Sequence, residues 1–305
     1  MNKNTLLEVS IVIVNYNTSK LVIDAIESIL KYSVDITYEI IIVDNNSKDG
    51  VDLLENKTKQ YDNIEVLKLS ENIGFGRANN EGVKIAKGQN LFFLNPDTLL
   101  LNNAIKILSN ELDNNLNYGA CGGNLLNENL EPTRSFRRQF PDILWILEHT
   151  FFFNIPELIR YGKNRFFNHL NKKMNVSYIV GADLMIKKEL FDQIGGFNPA
   201  FFMYYEEIEL CFRVKEKGFK VVSIPEASIQ HLEGKSTKNM KFKATQHFVS
   251  SNAYFSLTHS KFNVFLVKVI RLILITSRLL LFSIIRKKHK IEFWKQQLTL
   301  FFNRK

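Results

Sequence analysis

The chain has 305 residues, a hydrophobic fraction of 45% and a formal net charge of +9. That length suits one large domain or two small ones, and the composition is ordinary for a globular protein. Cys121 and Cys211 stand far apart and in no metal-type spacing, which excludes a disulfide framework and suggests a reducing compartment. The positive charge is local. From His259 to Lys305, eleven Lys and Arg face a single acid, Glu292, and the remainder is close to neutral. A basic tail on a neutral body argues against a nucleic-acid surface.

No signal-peptide pattern opens the chain, so the sequon Asn17-Thr18-Ser19 carries no expectation of glycosylation. Val9 to Val14 reads as a buried parallel strand followed by the polar turn Asn15 to Ser19. Leu21 to Leu30 has helical spacing, with Val22, Ile26 and Ile29 on one side. Glu39 to Asp44 is a second strand, tipped by Asp44-Asn45-Asn46-Ser47. Ile64 to Leu69 is a third, Gly74 to Ala86 a loop running into a helix, and Leu91 to Leu94 a fourth. Strands alternating with helices predict right-handed crossovers and a mostly parallel sheet.

The segment 122–178, with Arg134, Arg137, Arg138 and an aromatic run at Phe151 to Phe153, reads as loops and short helices forming a lid or acceptor wall. A strand is expected over Ser177 to Ala182 and short helices over Lys188 to Ile194 and Glu206 to Lys217. Two short strands, Lys220 to Ile224 and Ala227 to His231, are expected to be split by Pro225.

From Phe262 to Ile285 the chain is strongly apolar but interrupted by Lys268, Arg271 and Arg278. A membrane span needs roughly 20 apolar residues with few charges. At about 100° per residue, Lys261, Lys268, Arg271, Arg278 and Arg286 fall within about a third of the helical circle. Phe265, Leu266, Val269, Leu272, Ile273, Leu280 and Ile284 occupy the opposite arc. Two readings stand: a basic helix in an anionic membrane interface, and an amphipathic helix docked on the protein's own core.

Four polar tips follow apolar strands or belong at the same sheet edge: Asn15 to Asn17, Asp44-Asn45, Gly74 to Asn80, and Asn95 to Asp97. Ligands of open α/β sheets sit outside the carboxyl ends of the strands. Asp97 there suits a hard divalent cation bridged to phosphate, although Asn95-Pro96-Asp97 is also a run of turn formers. Asp44 suits a ribose or base edge, and Arg77 a base carbonyl or phosphate. Gly74-Phe75-Gly76 is an incomplete dinucleotide fingerprint, since Asn79 holds the third glycine position. Glu209 is spaced to pair with Arg213. Glu207 shares a stripe with Leu210, Cys211 and Val214, where a carboxylate is desolvated and suited to act as a general base. His231, at a strand tip before Leu232-Glu233-Gly234-Lys235-Ser236, is either structural or a metal or phosphate contact.

As an ordered set these stretches resemble the family 2 glycosyltransferases, and more narrowly their rhamnosyltransferase-like branch. The matching residues are Val9 to Asn17, Ile42 to Ser47, Glu71 to Asn80, Phe93 to Asp97, Gly195-Gly196-Phe197, Phe202 to Glu207 and His231 to Ser236. The resemblance implies a GT-A fold, with a Rossmann-like nucleotide-sugar half and an acceptor half around one mixed sheet. Residues 1–258 form that domain, and 259–305 a basic amphipathic helical tail. It implies inverting transfer assisted by Mn²⁺ or Mg²⁺, with Asp97 as the surviving acid of an Asp-x-Asp metal motif and His231 beside it. Glu207 stands where the family's catalytic Asp usually stands. Donor contacts carried over are Asn15, Asn17, Asp44, Asn45, Gly74, Arg77, Asn80 and Asn95; Asp183 and Glu206 are acceptor-side candidates.

Three departures bear on chemistry: Asn95 replaces the first acid of the metal motif, and Glu207 and Glu209 replace aspartates. The expected donor is dTDP-rhamnose, with a UDP-hexose or UDP-N-acetylhexosamine as rival. The expected acceptor is a saccharide, in a lipid-linked form that accounts for an interfacial tail. The expected setting is cell-surface polysaccharide assembly at the cytoplasmic face of the membrane. A rival of another class is a catalytically weak, membrane-attached binding subunit.

Overall fold

The structure, a computed structural model, describes residues 6–151, 155–232 and 240–302. Of the segments singled out above, Phe152, Phe153, Glu233 to Ser236, Arg304 and Lys305 lie outside the described residues. The chain divides into two compact units. The first is Met1–Phe140, Lys163–Phe202 and Glu206–Lys238; the second is Pro141–Gly162, Met203–Tyr205 and Asn239–Lys305.

In the first unit the chain runs β1 (Val9–Asn15), α1 (Ser19–Tyr32), β2 (Tyr38–Asp44), α2 (Val51–Thr58), β3 (Ile64–Lys68), α3 (Phe75–Val83), β4 (Asn90–Leu94), β5 (Thr98–Leu100), α4 (Ala104–Asn114) and β6 (Tyr118–Leu126). In chain order the remaining elements are β7 (Phe136–Arg137), α5 (Ile143–Phe151), α6 (Ile155–Tyr161), β8 (Met174–Val176), β9 (Tyr178–Ile179), β10 (Asp183–Lys187), α7 (Lys188–Gln193), α8 (Glu206–Glu216), β11 (Lys220–His231), α9 (Met240–Thr258), α10 (Lys261–Ile284) and α11 (Lys288–Phe302). The sheet order is β3-β2-β1-β4-β10-β6-β11-β5, with β8 beside β11. Strands β3, β2, β1 and β4 are parallel. Strand β10 enters antiparallel between β4 and β6 and makes the sheet mixed.

Alternate residues of the parallel strands face opposite layers. Val9, Ile11, Ile13, Ile40, Ile42 and Phe92 pack with Val22, Ile26 and Ile29 of α1 and Ile105, Leu108 and Leu112 of α4. On the other side, a methyl group at Gly82 of α3 would press against Val12 and Val43, so the glycine lets the helix lie close. Fully burying such aliphatic side chains contributes about 1.5–3 kcal/mol each.

Two expectations are corrected. Over Ser177 to Ala182 the chain forms only the short β9, paired with β7 in a separate ribbon. It turns at Gly181-Ala182, and the central strand is β10. The run from Tyr178 to Ile186 is apolar almost throughout, so its pairing with β4, not its periodicity, sets the strand's start. The two strands expected around Pro225 are one, β11, with a register shift between Ser223 and Ser228. A shift absorbs the proline's missing N–H. Helix α4 and strand β6 were not anticipated.

The second unit holds α5, α6 and α9 to α11. The Arg160 guanidinium pairs with Glu148 through both nitrogens. Arg271, expected on the basic stripe of α10, instead donates to Asn252 and Ser251 of α9 and lies over Phe248 and Phe255. It bolts α10 to α9. The apolar arc of α10 stays open: Phe265 is 60%, Leu280 66% and Ile284 69% exposed. Among the described residues no helix is long and apolar enough to cross a membrane.

Candidate active site

The carboxyl ends of β1 and β2 are in register, Asn15 opposite Asp44. Asn15 is fully buried, and its Nδ2 donates to Asp44 Oδ1 (2.8 Å), Ser19 Oγ (3.1 Å) and Ser47 Oγ (3.2 Å). Its Oδ1 accepts from the backbone N–H and hydroxyl of Thr18. Asp44 Oδ2 accepts the Ser47 N–H at 3.1 Å. Asn45 accepts the Ile73 N–H and donates to Asn72, which in turn accepts the Gly74 N–H. Asn17 is exposed, in a left-handed conformation (φ 56°), and accepts the Lys48 N–H. Asn15, Asn17, Asp44 and Asn45 therefore form one connected rim. Ser47, the last residue of that polar tip, and Asp49 complete it, and Asp49 does not stand out in the sequence. Asp49 receives the Ser19 N–H and hydroxyl at the start of α1, where Thr18 provides no side-chain cap. A cap arriving from 30 residues away leaves no local signal.

Gly74, Arg77 and Asn80 are drawn to the loop before α8. At Gly74 (φ 89°) a side chain would collide with the Phe202 carbonyl, which accepts the Phe75 N–H at 2.8 Å. Arg77 donates through Nε (2.9 Å) and Nη2 (2.6 Å) to the Pro199 carbonyl. Asn80 pairs reciprocally with the Phe197 backbone. These three hold α3 to residues 197–202.

Asp97 and His231 meet across β5 and β11, where Thr98 and His231 are partners in register. Asp97 is buried, and its Oδ1 lies 3.3 Å from His231 Nε2. His231 Nδ1 is buried and has no hydrogen-bond partner among the described residues. Among the described residues no group of three or more His, Cys, Asp or Glu converges. One carboxylate and one imidazole fit a divalent ion that takes its remaining ligands from phosphate oxygens and water, as Mg²⁺ does. Asn95 lies between β4 and this pair, and its N–H donates to the Ala182 carbonyl at 3.0 Å.

Helix α8 opens with Glu206 and Glu207. Glu206 is buried against Gly76 of α3, and Glu207 packs on Gly181, one residue before Ala182. Each has one enclosed carboxylate oxygen with no hydrogen-bond partner among the described residues. Desolvation pushes the Glu207 carboxyl up to about 7, against backbone N–H groups at the helix start that pull it down. Glu206 is raised well above its usual range by desolvation and then by the Glu207 charge. Glu209 makes a two-point pair with Arg213 (2.8 and 2.6 Å), and Arg213 also donates to the Ile194 and Gly196 carbonyls. Asp183 opens β10 inside the sheet, fully buried, with Oδ2 accepting the Gly123 N–H at 2.6 Å. Its burial raises the carboxyl well above its usual range, against the Gly123 N–H that lowers it.

The mixed sheet with helices on both sides defines an α/β protein, with a polar rim at the ends of β1 and β2, a carboxylate–imidazole pair across β5 and β11, and a desolvated glutamate at the start of α8. Residues 10–195 match the sequence family described as Glycosyl transferase family 2, and residues 163–235 match one described as N-terminal domain of galactosyltransferase. The chain belongs to glycosyltransferase family 2. It is 26% identical over 260 residues to the low-salt glycan biosynthesis hexosyltransferase Agl10 of Haloferax volcanii, covering 82% of this chain and 77% of that one. It is 24% identical over 213 residues to an N-acetylglucosaminyl-diphospho-decaprenol L-rhamnosyltransferase of Mycobacterium tuberculosis, covering 65% and 67%. The crystal structure of GalNAc-T7 with UDP, GalNAc and Mn²⁺ superposes with a TM-score of 0.60 at 17% identity, over 83% of this chain and 48% of that one. The fold is GT-A.

Proposed function

We propose that the protein is an inverting glycosyltransferase that moves rhamnose from a dTDP-linked donor to a saccharide carried on a lipid diphosphate. The observation that carries the reading is Glu207: a carboxyl whose pKa desolvation raises to about 7 at the start of α8, with one oxygen that has no partner among the described residues. A general base works best when its pKa lies near the operating pH. The rhamnosyl donor and the diphospho-lipid acceptor follow the mycobacterial relative's name. A UDP-hexose remains the rival donor, since the other relative is a hexosyltransferase. We assign residues 1–258 to catalysis and 259–305 to a tail at the cytoplasmic membrane surface, in cell-surface polysaccharide assembly.

In this reading Asp44, on the rim with Asn15, Asn17 and Asn45, meets the nucleoside. Asp97 and His231 hold a divalent ion, Mn²⁺ or Mg²⁺. When bound, that ion neutralises the donor diphosphate as a leaving group. Glu207 takes the proton from the acceptor hydroxyl as its oxygen forms a bond to the anomeric carbon. The bond from that carbon to the diphosphate breaks on the opposite face, which inverts the centre. Charge builds on the sugar as an oxocarbenium-like transition state. Glu206, kept protonated beside Glu207, leaves a single ionised acid at the reacting oxygen.

The test is turnover and binding of a panel of dTDP- and UDP-sugars with Mn²⁺, Mg²⁺ or EDTA. Metal-dependent consumption of dTDP-rhamnose, lost in Asp97→Ala, is expected. Preference for a UDP-hexose replaces the donor and keeps the reaction. Nucleotide binding that neither EDTA nor Asp97→Ala weakens, with no turnover of any donor, overturns the reading in favour of a binding subunit.

A further inference from the structure

The second unit contains a cavity of about 460 Å³ between α9 and α11, within the range of small-molecule sites. Its walls are mostly carbon, from Tyr204, Ala244, His247 and Phe293 and the stems of Lys241, Lys243 and Gln296. At about 100° per residue, Lys243, His247, Ala244 and Lys241 follow one another across a single face of α9. The two lysines therefore stand at the two edges of an apolar strip. Among the described residues neither has an acidic partner. Long basic side chains bury their stems and keep their heads in water, so this is an apolar slot framed by two lysines.

Tyr204 ties the slot to the chain that carries the candidate base. Tyr204 and Tyr205 are consecutive non-glycine residues at φ 69°, a strained conformation that persists only where the surroundings hold it. The Ser250 hydroxyl of α9 donates to the Met203 carbonyl at 2.7 Å, and the Tyr205 ring packs on His247 (5.1 Å) and Tyr254 (5.5 Å). Three peptide units separate Tyr204 from Glu207, so their Cα atoms are at most about 11 Å apart.

We propose that this cavity binds the first isoprenoid units of a lipid diphosphate, with Lys241 and Lys243 on the diphosphate and the chain against Ala244, His247 and Phe293. The proposal rests on the glycosyltransferase reading and names the site of its acceptor's lipid. An apolar slot between two cations matches a ligand whose apolar chain begins directly at a multiply charged head.

Binding to the full chain is measured by calorimetry with farnesyl diphosphate, inorganic diphosphate and dihexanoyl phosphatidylglycerol. EDTA is present, so that diphosphate is not retained at Asp97 and His231. Farnesyl diphosphate is expected to bind at least tenfold more tightly than inorganic diphosphate and than the phospholipid. Ala244→Trp, and the milder Ala244→Leu should the first not fold, are expected to weaken it at least tenfold. Joint Lys241→Gln and Lys243→Gln substitution is expected to weaken it at least fivefold. No preference for the farnesyl chain, no response to a folded Ala244 variant, or equal affinity for the phospholipid overturns the site. Donor turnover with a soluble acceptor is followed in parallel. If that turnover is absent while the farnesyl site maps to Ala244, the glycosyltransferase reading fails and the site stands. If turnover is present and the Ala244 variants bind unchanged, the site fails alone.

Discussion

Burial gives Glu207 two properties that can be measured separately. In the proposed mechanism its ionised form is the base, so kcat/KM is expected to rise with pH and level off above about 7, where the carboxyl titrates in the folded protein. Glu207→Gln is expected to lower kcat by a factor on the order of 10²–10⁴ and to remove this limb from the profile. Glu207→Asp, the residue the family usually carries, is expected to retain the limb with partial activity. Stability moves the other way. The folded carboxyl holds its proton to about pH 7, whereas the unfolded one releases it near the ordinary glutamate value of 4.5. Between those values the folded state binds more protons, so Glu207 makes the protein less stable as pH rises through that window. Glu207→Gln should gain stability relative to the parent on going from about pH 5 to about pH 8, read by urea denaturation at each pH. A Glu207 exposed to solvent gives no such difference. Asn15, on the same rim, has a structural part that can be measured apart from any ligand. Asn15→Leu strands Asp44 Oδ1 and the Thr18 N–H, and an unsatisfied buried group costs about 1–3 kcal/mol. That loss should appear in urea denaturation without nucleotide.

At the scale of elements, Gly74 is the point where α3 meets the segment leading to α8. Its φ of 89° and the Phe202 carbonyl against its α-carbon leave no room for a side chain. Gly74→Ala is expected to destabilise by about 1–3 kcal/mol from backbone conformation alone, with the collision added. Thermal unfolding read by circular dichroism checks it, and an unchanged midpoint rules out a structural role for this glycine. The parallel half was legible because each strand there is an apolar run ended by a polar tip, and each crossover helix has its own apolar stripe. Asp44 and Asp97 are candidates on those grounds, and Glu207 is one because it shares the apolar stripe of α8. Arg77, Asn80 and Gly74 resemble ligand-binding residues in sequence, yet they close on Pro199, Phe197 and Phe202. Those partners lie more than 100 residues away, and nothing near Gly74 to Asn80 announces them. Strand β10 was misplaced because its start depends on pairing with Leu94, again a non-local fact. Arg271 belonged to the basic stripe by angle alone, and its partners Ser251 and Asn252 on α9 leave no trace in that angle.

Across the whole molecule, charge and exposed apolar surface concentrate in the same stretch. The chain from His259 onward carries nearly all of the net charge of +9, and α10 leaves Phe262, Phe265, Ile273, Leu280 and Ile284 more than half exposed. An exposed apolar patch of that extent marks a contact surface, and cations beside it favour an anionic one. Lys287, Lys288 and Lys290 are exposed and follow α10 directly. Each basic residue near an anionic leaflet contributes about 1 kcal/mol, so replacing the three with Gln should weaken binding to phosphatidylglycerol vesicles by about a hundredfold. The same loss should follow from raising the salt of the unaltered protein to about 1 M, where the Debye length falls to about 3 Å. Phe265→Ser with Ile284→Ser removes the apolar contribution and should weaken binding at every salt concentration, because burial in the interface does not depend on screening. Vesicle sedimentation with zwitterionic and anionic lipid separates the two terms. If the parent chain binds both lipids equally and the lysine variants bind no less tightly, the basic tail has no electrostatic role at the membrane. Its charge would then act on an acidic partner protein, with the arc of α10 as the surface that partner covers.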